Sequence, residues 1–321
     1  MIVTVTINPS VDRTIQLPSP LVRDAVLRAS AVTSQAAGKG VNVSRALAHA
    51  SVATRAIVRA DYHDPYVREL VESGLAVVTV DPGASVRTNI SLVEPDGTTT
   101  KINEPGSPLS ASAVAALHDV VAAEAPRAQW LVFAGSLPPA ADVELLADLA
   151  RTARIATPDI RVAVDTSGAP LTALRTAGVH IDLIKPNLEE LAELTGTDPA
   201  TLTDPHAVAD ACDALRARGI AAVLATLGSA GAVLATAEGA WHATHPPVTA
   251  RSTVGAGDSS LAGYLIADAA GCSPAARLAH AVAYGAAAVA LPGTTIPRPS
   301  DTHPDQVTVT ELHQPATVTA P

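Results

Sequence analysis

The stretch Ser252-Thr-Val-Gly-Ala-Gly-Asp-Ser-Ser-Leu-Ala-Gly-Tyr264 joins a β-branched approach over 248–254 to an Ala/Leu-rich helical pattern. The expectation is a strand that runs into Gly255-Ala256-Gly257-Asp258 and turns at once into a helix. Two glycines at such a junction leave backbone N–H groups uncrowded at the positive end of a helix dipole, which attracts phosphate-like anions. Asp258 does not belong there as an anion ligand, because a carboxylate repels what the amides attract. It does fit as a general base taking a proton from a hydroxyl that attacks the phosphate. The plainer alternative is an Asp that caps a helix beside turn glycines, and the stretch alone leaves both open.

Upstream of this stretch, from about residue 110, strand-like and helix-like patterns alternate. Helices over 110–123, 143–153, 171–177 and 206–218 separate strands over 130–134, 161–164, 183–184 and 222–226. Each strand ends in polar or glycine-rich residues: Gly135-Ser136, Asp165-Thr166, Lys185-Pro186-Asn187 and Leu227-Gly228-Ser-Ala-Gly231. This pattern implies a mostly parallel sheet covered by helices on both faces, with ligands at the carboxyl ends of the strands. The first strand, over 2–7, stops at Asn8-Pro9-Ser10. A second candidate anion site follows at Ala37-Gly38-Lys39-Gly40-Val-Asn42, a glycine-bracketed lysine entering a helix without Walker A spacing. Short strands are expected over 14–17 and 26–33, and 87–93 and 98–103 flank Pro95-Asp96-Gly97, a strong hairpin signal. These two pairs can form a small separate sheet carrying Arg87 and Lys101. Segment 307–312 can still pair, and 313–321 is expected to be a disordered tail.

Composition narrows the function classes. The 321 residues are 48% apolar but only 2% aromatic, so the core must be built from Ala, Val, Leu and Ile. A net charge of −10 argues against a nucleic-acid surface while leaving room for a local basic site. No apolar run reaches membrane-spanning length, and the amino terminus has no basic leader. Cys212 and Cys272 show neither metal-ligand nor disulfide spacing, which suits a reducing cytoplasm.

Taken together, the ordered motifs resemble the PfkB (ribokinase-like) sugar kinases over nearly the whole chain. Gly38-Lys39-Gly40-Val-Asn42 and Ser252 to Asp258 match the two family signatures, with Gly135-Ser136-Leu-Pro138, Lys185-Pro186-Asn187-Leu-Glu189-Glu190 and Leu227-Gly228-Ser-Ala-Gly231 in order between them. Thr6-Ile-Asn-Pro-Ser-Val-Asp12, Arg87-Thr-Asn89 and Thr100-Lys101-Ile-Asn103 resemble the phosphosugar branch, closest to 1-phosphofructokinases. The resemblance implies an α/β ribokinase-like domain over 1–312, with a β lid from about 12–33 and 86–104. It implies an ATP- and Mg2+-dependent phosphorylation of a ketohexose monophosphate, foremost D-fructose 1-phosphate. Asp258 would be the base, and the amides of Gly255, Ala256 and Gly257 would hold the phosphoryl. Asp12, Gly38, Asn42 and Ser136 would bind sugar, while Lys39, Arg87 and Lys101 would meet its phosphate. Lys185, Asn187, Thr226, Gly228 and Gly231 would line the nucleotide, and Glu190 would act on Mg2+ through water. A homodimer through the lid follows from the branch, and a monovalent cation (K+) is left open.

One segment departs from the family pattern: Val58-Arg59-Ala-Asp-Tyr-His-Asp64 stands where glycines are usual. Tagatose 6-phosphate and fructose 6-phosphate remain rival substrates. A catalytically silent sugar-phosphate or nucleotide sensor on the same fold is the alternative from another class. A dinucleotide oxidoreductase fails because no Gly-x-Gly-x-x-Gly follows the first strand.

Overall fold

The computed structural model describes residues 1–80 and 86–313. Its first part comprises β1 (Ile2–Thr6), β2 (Ser10–Gln16), β3 (Ala31–Ala37), α1 (Lys39–His49), β4 (Thr54–Arg59), α2 (Pro65–Glu72) and β5 (Val77–Val80). Then follow β6 (Arg87–Val93), β7 (Thr99–Asn103), α3 (Ala111–Glu124), β8 (Trp130–Ala134), α4 (Leu145–Ala156), β9 (Arg161–Asp165) and α5 (Ala169–Leu174). The last part holds β10 (Leu183–Ile184), α6 (Leu188–Thr195), α7 (Pro205–Arg216), β11 (Val223–Thr226), β12 (Ala232–Thr236), β13 (Gly239–Thr244), α8 (Ala256–Ala269), α9 (Pro274–Ala290) and β14 (Thr308–His313).

Period-two alternation sorts the strand residues into two apolar layers. Val3 and Val5, Leu131 and Phe133, and Val162 and Val164 enter one layer; Ile2, Val132 and Ala163 enter the other. The first layer is closed by α3, α4, α6 and α7 through Leu117, Leu149, Leu191 and Leu215. The second is closed by α1, α8 and α9 through Leu47, Leu265 and Leu278. With so few aromatics (Phe133 in the first layer, Trp130 and Tyr264 in the second), both layers are mainly aliphatic, and Ala-rich helices can approach the sheet closely. The strand order is β14-β13-β12-β11-β10-β9-β8-β1-β4-β5. Every neighbouring pair from β5 to β11 is parallel, and β12, β13 and β14 add antiparallel strands at one edge. The parallel strands therefore end on one common edge, where the helix amino termini gather.

A second sheet, ordered β3-β2-β6-β7, is the expected lid. The Asp96-Gly97 turn closes β6 on β7, with Glu94 N–H donating to Thr98 O at 2.9 Å. The early strands lie elsewhere than the pattern suggested. They are β2 and β3 rather than 14–17 and 26–33, because pairing with β6 draws Ser10 and Asp12 into the ladder. The strand expected over 248–254 does not form. The chain leaves β13 at Thr244, and Pro246-Pro247 remove two donors. The amides of Arg251 and Ser252 instead donate to Val289 O at the end of α9. Segment 307–312 does pair, as β14 on β13, and the strand runs on to His313. The rest of the expected tail, 314–321, lies outside the described residues.

Candidate active site

Asp258 is the third residue of α8, and its carboxylate does not cap that helix. The cap position is Gly255, whose φ of +78° is the left-handed conformation that favours glycine, with no side-chain cap hydrogen bond. Asp258 is buried, and Asn42 Nδ2 in the first turn of α1 donates to its Oδ2 at 2.8 Å. Burial pushes its pKa up to about 6, and the charge of Asp165 adds to the rise. The Asn42 hydrogen bond and the ammonium groups of Lys39 and Lys185 act in the other direction. The helix-cap alternative is thereby set aside: a buried carboxylate aimed at α1 serves no purpose as a cap.

Asp165, the last residue of β9, is the hub beneath this pair. Its side chain is fully buried, with Lys39 Nζ at 2.8 Å from Oδ1 and Lys185 Nζ at 3.2 Å from Oδ2. Burial alone would raise its pKa, but Lys185 and Lys39 outweigh that and hold it below the usual carboxylate range. Burial also works against the charged form of Lys39, and the partnership with Asp165 more than reverses it. Lys39, expected at a substrate phosphate, is thus engaged with Asp165. The sequence reading assigned Asp165 no role, although its place at the carboxyl end of a parallel strand was the available signal.

Close approach explains the glycines around this hub. A Cβ on Gly257 would come within 3.1 Å of Lys185 Nζ, so glycine lets the lysine lie against the first turn of α8. At Gly38 and Gly40 a Cβ would meet the Thr6 side chain at 2.7 Å and 2.5 Å, which lets α1 begin on the end of β1.

The residues expected along the nucleotide adjoin β10 and β11. Asn187 and Glu190 form a reciprocal capping box on α6: Asn187 Oδ1 accepts from Glu190 N–H at 2.8 Å, and Glu190 Oε2 accepts from Asn187 N–H at 2.9 Å. Thr226 N–H donates to Pro186 O at 2.9 Å, joining the two strand ends. Gly228 and Gly231 bound the turn between β11 and β12, and a Cβ on Gly231 would strike Ala243 O.

Of the residues expected to meet the sugar phosphate, Asp12, Arg87 and Lys101 sit on the second sheet. Register places Asp12 opposite Asn89, Ser10 opposite Arg87 and Ser91 opposite Lys101, so Asp12, Arg87 and Lys101 share one face. Asp12 Oδ1 accepts from Ser10 Oγ at 2.9 Å and from Asn89 Nδ2 at 3.0 Å. Arg87 donates to Glu104 O at 2.6 Å and Asn8 O at 3.4 Å, and burial lowers its pKa. Lys101 is exposed on β7. Ser136 accepts from Asn8 Nδ2 at 3.3 Å, which ties the end of β8 to the end of β1. A cavity of about 500 Å3 lies beside the lid, lined by Asp12, Gln35, Arg45, Glu69 and Thr294 among others. Asp12 alone of the sequence-predicted residues borders it. Among the described residues, no group of three or more His, Cys, Asp or Glu could hold a metal ion, and no helix is long and apolar enough to cross a membrane.

The arrangement is thus two buried carboxylates, Asp165 held by Lys39 and Lys185 and Asp258 in the first turn of α8 held by Asn42, with a second sheet beside them. The family model for pfkB family carbohydrate kinases matches residues 6–301. A 1-phosphofructokinase of Rhodobacter capsulatus is 37% identical over 293 residues, covering 89% of this chain and 90% of that protein. The ATP-dependent 6-phosphofructokinase isozyme 2 of Escherichia coli is 33% identical over 94% of this chain and 96% of its own. A crystal structure of phosphofructokinase-2 from Escherichia coli in complex with potassium superposes with a TM-score of 0.84 at 30% identity, covering 94% of this chain and 96% of that one. Motifs, topology and relatives agree: the chain belongs to the pfkB family of carbohydrate kinases and is a sugar kinase, a phosphotransferase.

Proposed function

We propose that this kinase phosphorylates a ketohexose monophosphate, D-fructose 1-phosphate in the first place, at O6 to give fructose 1,6-bisphosphate. The observation that carries the reading is buried Asp258, which has a pKa of about 6 and a hydrogen bond from Asn42 at the mouth of the α8 amides. The name and 37% identity of the Rhodobacter capsulatus relative favour fructose 1-phosphate. The Escherichia coli relative keeps fructose 6-phosphate as the rival, followed by tagatose 6-phosphate.

Asp258 takes the proton of the attacking hydroxyl as the sugar oxygen forms its bond to phosphorus and the bond to ADP breaks. The amides of Gly255, Ala256 and Gly257 stabilise charge on the transferred group. ATP with its Mg2+, when bound, supplies that group and neutralises part of its charge. The donor set suits this pair. Lys185 and the α8 amides offer positive potential to phosphates, and Glu190 with Asn187 offers oxygens. Mg2+ typically keeps several waters and takes few protein ligands, so no larger acidic cluster is needed. Thr226, Gly228 and Gly231 border the nucleotide. Asp12, Asn42 and Ser136 bind sugar hydroxyls, and Arg87, Lys101 and Lys39 face the substrate phosphate, Lys39 from its contact with Asp165.

A coupled ADP-release assay over fructose 1-phosphate, fructose 6-phosphate, tagatose 6-phosphate and fructose tests the reading. The highest kcat/KM is expected for fructose 1-phosphate. Thermal stabilisation by these ligands without ADP release would instead identify a sensor.

The opposite lid face groups Ile15, Ile90, Leu92, Val32 and Ile102, bordered by Arg13, Ser34, Thr88 and Thr100; Val32 and Ile102 are 47% and 53% exposed. This face supports a homodimer through the lid. Ile102→Asp should then halve the mass measured by light scattering, and an unchanged mass rejects that interface. A K+ site beside the anion loop would raise turnover in K+ over an equal concentration of Na+; equal rates reject it.

A further inference from the structure

The segment that departs from the family pattern supplies a residue with no role so far. Arg59 ends β4 and is only 5% exposed. Its guanidinium donates to Ser107 O at 2.8 Å through Nη1 and to Pro108 O at 2.9 Å through Nη2. These carbonyls close a short strap, 104–108, that carries the chain out of lid strand β7 toward α3. The other end of the strap holds Arg87: Glu104 O accepts from Arg87 Nη1 at 2.6 Å, while the Glu104 side chain accepts from Thr88 N–H at 2.7 Å. In the middle, Pro105 O accepts from Asn8 Nδ2 at 3.2 Å, and Asn8 O accepts from Arg87 Nε at 3.4 Å.

The strap also passes too close to this pair for a side chain. Gly106 has a φ of +84°, and a Cβ there would lie 2.2 Å from Asn8 Oδ1 and 3.3 Å from Arg87 Cδ. Asn8 and the Arg87 stem therefore lock against the Gly106 backbone. Two Arg87 nitrogens are committed to backbone carbonyls, which fixes the direction in which its remaining donors point. A planar guanidinium can span two successive carbonyls at once, which the single ammonium of lysine does less well.

We infer that Arg59 is a positioning residue for the sugar-phosphate half of the site: it pins the 104–108 strap that seats Arg87. The inference rests on the reading that Arg87 anchors the phosphate already on the substrate. Arg59 touches neither substrate nor nucleotide; it restricts the orientations open to Arg87 before the substrate arrives. Such preorganisation acts on binding of one substrate and leaves the chemical step alone.

The test is steady-state kinetics on the full chain with ATP and fructose 1-phosphate, or fructose 6-phosphate should the substrate panel favour it. Arg59→Lys keeps charge and bulk but loses the fork. It should raise KM for the sugar phosphate about tenfold, with kcat and KM for ATP within about twofold of the wild type. Gly106→Ala, which pushes on the strap from its middle, should raise the same constant. In the Arg87→Ala background, Arg59→Lys should add less than about twofold, because a residue acting only through Arg87 has nothing left to act on. If Arg87→Ala raises the sugar-phosphate KM and Arg59→Lys leaves it at the wild-type value, the Arg59 assignment is overturned and the phosphate anchor stands. Multiplying effects in the double variant, or an equal rise in KM for ATP, overturn it as well. An unchanged KM in Arg87→Ala removes the anchor and the Arg59 assignment together. Should Arg59→Lys fail to fold, Arg59→Gln, which keeps a single amide donor for the Ser107 and Pro108 carbonyls, takes its place, alone and combined with Arg87→Ala, and the same results support or overturn the assignment.

Discussion

The two ends of the central sheet each bury an aspartate, and the two are treated differently. At the amino end, Asp268 of α8 accepts from Trp130 Nε1 at 2.8 Å and pairs with Arg161 at 2.9 Å and Arg277 at 3.1 Å. Arg161 also stacks 4.4 Å from the Trp130 ring centroid. This carboxylate is saturated by forked donors. At the carboxyl end, Asp165 has two single-point lysines, and its Oδ2 has an ammonium at 3.2 Å without hydrogen-bond geometry. A second carboxylate, Asp258, stands close enough for the charge of Asp165 to raise its pKa. The first cluster closes the fold. The second keeps charges that are only partly neutralised, and two like charges in one desolvated pocket leave a base able to accept a proton near neutral pH.

The largest expected effect is at Asp258. Asp258→Asn should lower kcat by about a thousandfold while sugar-phosphate binding persists, measured by ADP release and by calorimetric titration. Turnover near the wild-type level would end the base assignment. The same variant should be more stable at pH 7.5. With a folded pKa of about 6 against an ordinary 3.8, the ionised carboxyl costs roughly 3 kcal/mol above pH 6. That cost fades as pH falls through 6 and is gone below the unfolded value. A higher Tm at pH 7.5 that converges with the wild type near pH 4 is the signature.

The contrast between the sheet ends comes next. Asp165→Asn should cost about 3 kcal/mol in urea unfolding, because it strands Lys185, whose side chain is 5% exposed; Asp268→Asn should cost less, because Arg161 and Arg277 keep 39% and 25% of their side chains exposed. Only Asp165→Asn should change the kinetics. Equal kinetic damage from both variants would break the contrast. The acid limb of the kcat/KM profile should fall about tenfold per pH unit below about 6, where Asp258 is protonated. Asp165→Asn should move that limb to lower pH, since it removes the like charge. The smallest effect is expected at Lys101, which is exposed on β7. Lys101→Ala should raise the sugar-phosphate KM less than about threefold, well short of Arg87→Ala.

Much of the fold was legible because it is local. The period of two in β1, β8 and β9, the Asp96-Gly97 hairpin and the glycines at the starts of α1 and α8 are short-range patterns with short-range causes. The strand expected over 248–254 failed for the opposite reason. Its residues suit a strand, but no neighbouring strand takes them, and the Arg251 and Ser252 amides go to the end of α9. The early lid strands were misplaced because register with β6, more than their own composition, selects which residues pair.

The sequence by itself determined a parallel α/β sheet with a separate lid, the two glycine-rich helix starts, and Asp258 as the residue whose chemistry needed explaining. Only the tertiary structure decided which charges meet. Lys39 and Asp165 are 126 residues apart, and Asn42 and Asp258 are 216 apart. Hydrogen bonds and desolvation act over a few ångströms, so these partnerships exist only once packing has brought the strand ends and helix starts to one edge. The same holds for Arg59, an oddity in the sequence that became intelligible only as a clamp on a strap nearly fifty residues further along.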